Sequence, residues 1–347
     1  MLVDSSPEQR AETAPAPPTR RAIRAFGLLV SVVVLALVAV ASIAIGAKEL
    51  SLEQVWHGLF QESGTYGDVV VGERVSRTVL GLLAGAALGL SGAVLQALTR
   101  NPLADPGLLG INAGASAAVV TAVTFFGVTS LSGYVWFAFF GAAAVGAVVW
   151  FLGGSRGATP VRLALAGTAI SAALYGYLQA VMIMDDAALG KMRFWTVGSL
   201  ASANDSTITQ VLPFLGVGTV LALLLARPLN AVAMGDDTAR ALGANLGRTR
   251  ALSMAAATVL SGAATAACGP IVFVGLMIPH VVRSFTGPDL RWILPYATIL
   301  SPVLLLGADV VGRIVARPAE LQVGIVTAVI GGPVFVFLVR RGRTAQL

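Results

Sequence analysis

The sequence predicts an all-α integral membrane protein of about ten transmembrane helices with both termini in the cytoplasm. Three observations carry this. Hydrophobic residues make up 56% of the 347, charged residues only 12% against about a quarter in soluble domains, and ten long segments hold no charge at all. These segments are 26–47, 78–99, 107–128, 132–153, 163–184, 206–226, 251–268, 270–282, 292–308 and 321–339. Most reach the ~20 residues an α-helix needs to cross a hydrocarbon core about 30 Å thick. Runs such as 28–45 are apolar on every face instead of alternating at period 2, which excludes barrel strands.

Residues 1–25, rich in Pro, Ala, Ser and charge, read as a disordered cytoplasmic tail. The apolar run that follows exceeds the ~7 to 15 residues of a secretory signal core, so the first span is a permanent helix. Asn101-Pro102 and Asp105-Pro106 break the chain between spans 2 and 3, as a re-entrant turn or a plain loop, because proline removes a donor and disfavours helix before it. Gly269-Pro270 divides 251–282 into two crossings, and Pro279 disturbs the second. Residues 342–347 form a short C-terminal tail. Of the 23 Lys and Arg, only Lys48, Arg74, Arg77, Lys191, Arg193, Arg313 and Arg317 then fall outside, and the positive-inside rule supports this orientation. A weak echo, Leu90-Ser91-Gly92-Ala93 against Leu260-Ser261-Gly262-Ala263 in oppositely directed spans, has the form of an inverted repeat.

Several chemistries are excluded. The basic residues sit in short links rather than one patch, so the net charge of +6 orients the chain and does not mark nucleic acid as a partner. Cys268 stands alone, without a disulfide or metal cluster, and reads as packing. The two histidines, His57 and His280, come with no HExxH, and there is no GxSxG. Gly190-Lys191 is followed by Met192, so the chain has no phosphate-binding loop for ATP. No carboxylate lies inside the ten segments, where an ion-coupled secondary carrier usually keeps one at a cost of roughly 2.5 to 3.5 kcal/mol. Energy for transport must come from another polypeptide.

The remaining polar residues have local readings. Ser91, Gln96, Thr99 and Asn101, with Pro102, cluster where span 2 meets the turn, and Gln96 alone could equally hold one helix to another. In the link 227–250, Asp236-Asp237-Thr238 could cap a short helix through Leu242 that Gly243 closes. Arg74 and Arg77 begin span 2, where cations oppose the helix dipole by about 0.3 to 1 kcal/mol each; anchoring at the membrane interface is one reason for such placement. Asp309 precedes Arg313 by four residues and can pair with it along a helix. His280 reads as structural. Gly324, Gly331 and Gly332, with Pro333, let span 10 approach its neighbours and bend.

Four ordered motifs then become specific: RTVLGLLAGAALGLSGAVLQALTRNPLADPGLLGINAG at 77–114, LNAVAMGDDTARALGAN at 229–245, GPIVFVGLMIPHVVR at 269–283 and PAELQVGIVTAVIGGPVFVFL at 318–338. Over residues 26–341 the chain resembles the FecCD-type permeases, the membrane subunits of type II ABC importers for ferric siderophores, haem and cobalamin. The resemblance implies a ten-helix type II importer permease that catalyses nothing itself, working with a second permease, identical or sister, two ATP-binding subunits that hold ATP and Mg²⁺, and an extracytoplasmic substrate-binding protein. It makes Gly235, Asp236, Asp237, Ala239, Arg240, Leu242 and Gly243 the coupling segment on the ATPase. Ala239 and Leu242 are then apolar contacts, with Arg240 and the two aspartates setting orientation. It makes Arg74, Arg77 and Arg313 receptors for acidic residues of the binding protein, and places Ser91, Gln96, Thr99, Asn101 and Pro102 near the inner end of the translocation path. Trp195, Gly198 and Ser199 match an outer segment, and Glu320 a structural Pro-x-Glu. The implied cargo is a ferric siderophore, with haem or cobalamin as alternatives, and no metal or cofactor is bound by this chain.

Overall fold

The structure, a computed structural model, describes residues 20–61, 64–128, 130–154 and 160–342. Fourteen α-helices, and no strand, occur among them: α1 Arg20–Ala44, α2 Leu52–Phe60, α3 Tyr66–Thr99, α4 Ile111–Phe125, α5 Leu131–Gly154, α6 Pro160–Met184, α7 Asp186–Trp195, α8 Asp205–Leu224, α9 Ala226–Ala233, α10 Asp236–Ala241, α11 Leu246–Cys268, α12 Val274–Thr286, α13 Leu290–Val315 and α14 Val323–Gly342. A 3-10 turn, Pro106–Leu109, precedes α4. Of the expected tail, residues 20–25 are the first turns of α1, and 1–19 lie outside the described residues, as do 343–347.

Each of the ten expected segments contains a helix, with different bounds. Seven helices are long and apolar enough to cross a membrane: α1, α3, α5, α6, α8, α11 and α13. The 15 residues of α4 and 13 of α12 rise only about 22 and 20 Å at 1.5 Å per residue. Non-helical backbone extends both, the 3-10 turn before α4 and the stretch 269–273 before α12. Such backbone is tolerated at membrane depth only where protein buries it. Two further corrections bear on charge. Helix α3 starts at Tyr66, well before the expected 78, and α13 runs past 308 to include Asp309. Charges therefore do enter long helices.

Helices α3 and α11 form the centre. Side chains of small residues let backbones touch, which is how membrane helices gain contact without a hydrophobic driving force between them. A Cβ at Gly85 would lie 2.6 Å from the Cα of Pro302, and one at Gly92 would collide with the Gly275 carbonyl, so α13 and α12 both lie flush on α3. Antiparallel α11 closes the other side, where the Ser91 hydroxyl donates to the Ala257 carbonyl at 2.9 Å. The two Leu-Ser-Gly-Ala runs thus both sit in the buried pair, on α3 and α11. Cys268 is buried and donates to the Ala264 carbonyl. At the rim, side chains cap the helices: Asn204 accepts from Thr207 N at 2.8 Å and Asn245 from Arg248 N at 3.0 Å. Helix α6, by contrast, leaves most of its surface exposed.

Gly92→Ala should lower the thermal stability of the purified chain in detergent by about 1 to 3 kcal/mol through overpacking. Gly176→Ala, at an open position on α6, should leave it equal or slightly higher. Equal melting of the two variants would remove the close-approach account.

Candidate functional site

At the end of the bundle that the charge distribution assigns to the cytoplasm, α9 and α10 form a knob between α8 and α11. Gly235, with φ +114, turns the chain from one short helix into the other, and Gly243, with φ +78, ends the second. Both positions favour glycine because a Cβ strains the left-handed region. The expected cap is not made. Gly235 occupies the N-cap of α10, and Asp236 instead binds two guanidiniums: Arg100 at the end of α3, and Arg250 on α11 at 2.7 Å. Burial raises the Asp236 pKa, but the hydrogen bonds and charges of Arg100 and Arg250 outweigh it and hold the carboxyl below its ordinary range. Arg100 also donates to the Val232 carbonyl at 2.8 Å. Asn230 bonds Asp289 at 2.6 Å and Leu290 N at 2.9 Å, which ties α9 to the start of α13.

Of the coupling residues expected from sequence, the structure leaves some outside and draws others in. Ala239 is fully buried against Val232 and Leu246, so it packs the knob and offers no apolar contact. Asp236 is engaged internally. Leu242 is 62% exposed, as is Met234 at 60%, and Asp237 and Arg240 form an exposed ion pair at 3.0 Å. Met234 was not singled out in the sequence; it precedes Gly235, and only the fold turns it outward.

Below the knob, α3 ends at Arg100 in the left-handed conformation, and the turn follows. Asn101 Oδ1 accepts from Leu103 N at 2.9 Å, and Asp105 Oδ1 from Gly107 N at 2.7 Å. Thr99, Asn101 and Asp105 line a cavity of about 270 Å³ with Leu95, Leu108 and Thr168. Pro102 is exposed beside it. Ser91 and Gln96 do not reach it. Both are fully buried, and Gln96 Nε2 donates to the Leu276 carbonyl at 3.0 Å, so these two hold α3 to α11 and α12. Burial pushes the Asp105 carboxyl up to about 6.

At the opposite end, Arg74, Arg77 and Arg313 converge on one cavity of about 310 Å³ together with Glu73 and Glu320. They do not oppose a helix dipole, since α3 begins two turns before Arg74 with Asp68 in its first turn. Nor do they project from the surface, being 6%, 9% and 1% exposed. Arg77 pairs with Asp309 at 2.7 Å and Glu320 at 2.6 Å, and Arg313 with Asp309 at 2.7 Å. Arg313 also donates to Ser42 and Ile45 carbonyls, and Arg74 to those of Ile43, Ala44 and Lys48. The end of α1 is thus pinned to α3 and α13. Glu320 is structural, as its sequence context suggested. Gly198 and Ser199 are too: Gly198 accepts from Gly324 N at 3.1 Å and Ser199 N donates to the Cys268 carbonyl at 2.7 Å.

One feature escaped sequence reading. Thr168, Tyr175 and Gln179, spaced seven and four apart on α6, are exposed together, with Tyr177 bonded to Thr121 at 2.8 Å. A polar stripe on an apolar helix is disfavoured against lipid and suits a second subunit or a watered path. The spacing was the available signal.

Asp309→Asn should destabilise the fold by about 3 to 5 kcal/mol, because it leaves the buried Arg313 guanidinium without a counter-charge and Arg77 with Glu320 alone. Arg317→Gln, which breaks the exposed pair with Glu49, should cost about 0 to 1; detergent melting separates the two. For Asp105, a raised folded pKa penalises the charged form above about 6. Asp105→Asn should therefore be more stable relative to the native chain at pH 8 than at pH 4, the advantage fading as pH falls through 6 towards the ordinary carboxylate value. A pH-independent gap would contradict that burial.

Comparison with known proteins matches this architecture. The FecCD transport family is matched over residues 34–341. The chain is 45% identical over 327 residues to the ferric enterobactin transport system permease protein of Escherichia coli (strain K12), covering 92% of this chain and 96% of that protein. It is 37% identical over 306 residues to the Fe(3+)-citrate import system permease protein of Bacillus subtilis (strain 168), covering 88% and 91%. A solved inward-facing structure, described as a transporter of the metal-chelate ABC type, superposes with a TM-score of 0.81 at 28% identity over 91% of this chain and 99% of that one. With the match running nearly end to end and through both clamped ends of the bundle, the chain belongs to the FecCD transport family and is one of its membrane permeases.

Proposed function

We propose that this permease carries a ferric siderophore inward as one of two permease subunits, identical or sister, of an ABC importer in the bacterial inner membrane. Ten crossings place both termini in the cytoplasm. ATP and Mg²⁺ sit on two partner ATPase subunits, and a substrate-binding protein delivers cargo outside. The observation that carries this is the knob. A compact, partly apolar projection is clamped to three core helices by Arg100, Arg250 and Asn230. Force applied there by a soluble motor reaches α3, α11 and α13 directly.

Leu242 and Met234 are the apolar contacts for the ATPase, and Asp237 and Arg240 lie at the rim, where polar groups set register. Movement of Arg100 shifts the turn at Asn101 and Pro102, which together with Thr99 forms the inner gate. The α6 stripe of Thr168, Tyr175 and Gln179 faces the path between two permeases. Outside, carboxylates of the binding protein enter the cavity floored by Arg74, Arg77 and Arg313, which keep donors in reach of it while holding the helices together. An ion-coupled carrier is the weaker reading, because the one carboxylate deep in α13, Asp309, is already matched by two arginines.

Leu242→Asp, in the complete transporter reconstituted in liposomes, should lower ATP-driven siderophore uptake about tenfold or more, the loss expected when an interface anchor becomes charged. Circular dichroism and subunit yield should stay unchanged. Native uptake by this variant would end the coupling assignment.

A further inference from the structure

The largest cavity described, about 700 Å³, lies beside the knob at the inner end of α8. Its wall combines two unlike surfaces. Leu221 and Leu224 on α8 and Leu252 on α11 supply an apolar side. Arg227 on α9 and Arg248 on α11 supply the other, Leu242 and Gly243 of the knob border its edge, and no acidic residue lines the space among the described residues. Both arginines are exposed. The nearby carboxylates are spent elsewhere, Asp236 on Arg100 and Arg250 and Asp237 on Arg240. Leading into the cavity along α8 is an exposed ladder of Val217, Val220 and Leu224 at 65%, 58% and 71%, spaced three and four residues apart on one face. Helix α8 is one of the spanning helices, so the ladder lies at acyl-chain depth and the arginines at its end stand at headgroup level.

We infer that this cavity holds one anionic phospholipid, its phosphate between Arg227 and Arg248 and an acyl chain along the Val217, Val220 and Leu224 ladder. A zwitterionic lipid satisfies the apolar wall equally well, but its choline or ethanolamine is not matched by a site with two cations and no acid. Basic pockets between spanning helices at one membrane face select anionic headgroups in this way. The lipid then wedges between α8 and α11 next to the knob, so lipid composition sets the stiffness of that hinge. The inference requires the membrane-spanning fold and is independent of which cargo is carried.

The test uses the full chain in phosphatidylcholine nanodiscs containing a small fraction of phosphatidylglycerol with a photoreactive acyl chain, with crosslinks mapped by mass spectrometry. Labelling should concentrate on residues 217–225 and 252, and a photoreactive phosphatidylcholine should label them several-fold less. Arg227→Gln and Arg248→Gln should each reduce phosphatidylglycerol labelling about fivefold, the loss expected for one cation at a membrane surface, while Arg227→Lys retains most of it. Melting of each variant should match the native chain, since both side chains are exposed. Equal labelling by the two lipids, or unchanged labelling in the double Gln variant, overturns the proposal. So does loss of labelling when the partner ATPase is added, which would give the cavity to the protein interface.

Discussion

A charge inside an apolar bundle is stable only when paired, and this chain uses the same arrangement at each end. Asp309 lies between Arg77 and Arg313, and Asp236 lies between Arg100 and Arg250. One arginine of each set belongs to α3. They are 23 residues apart, about 34 Å at the helical rise, so a single helix connects both charge clusters. At Asp309, where the side chains are buried, removing one partner leaves a buried ion at a high cost, whereas the partly exposed set at Asp236 is more forgiving. The position of α3 is therefore set electrostatically at its ends and sterically, by glycines against backbone, in between.

This arrangement divides the molecule into a stiff part and an open part. Helices α12 and α13 meet α3 through Gly85, Gly92 and Gly275 with almost no side chain between them, which leaves little room for sliding. Helix α6 presents tyrosines at 45% and 37% exposure instead. Motion that opens a path fits the second region, and transmission fits the first.

Much of this was legible in the sequence. Uncharged runs locate the helices because lipid imposes length and excludes charge, and proline and glycine pairs locate the breaks at 101–106 and 269–270. Burial was not legible. In a soluble helix the polar face marks the outside, whereas here Ala239 and Leu242 look alike in sequence and only the fold separates a packed residue from an exposed one. Asp309 was hidden by one position, because the uncharged run ends at 308. Its pairing with Arg77 joins residues 232 apart, beyond any local rule. Arg74, Arg77 and Arg313 stand out in the sequence as charges at span ends, but their mutual arrangement around one cavity, and the carbonyls that hold them, exist only in three dimensions. The short helices α2, α7 and α9 carry no span-length signal and lie within the links between spans.

The attachment of α1 has a consequence for how the protein is made. Its far end is held by Arg313, through the Ser42 carbonyl 271 residues away in the chain, and its near end by the Tyr296 hydroxyl bonded to the Arg24 carbonyl. A ribosome delivers α1 first and α13 nearly last. The far end of the first helix can be held early by Arg74 of α3, but its attachment to α13 must wait until near the end of synthesis, and Arg77 must wait as long for Asp309. Assembly of the bundle is completed from the carboxyl end backwards.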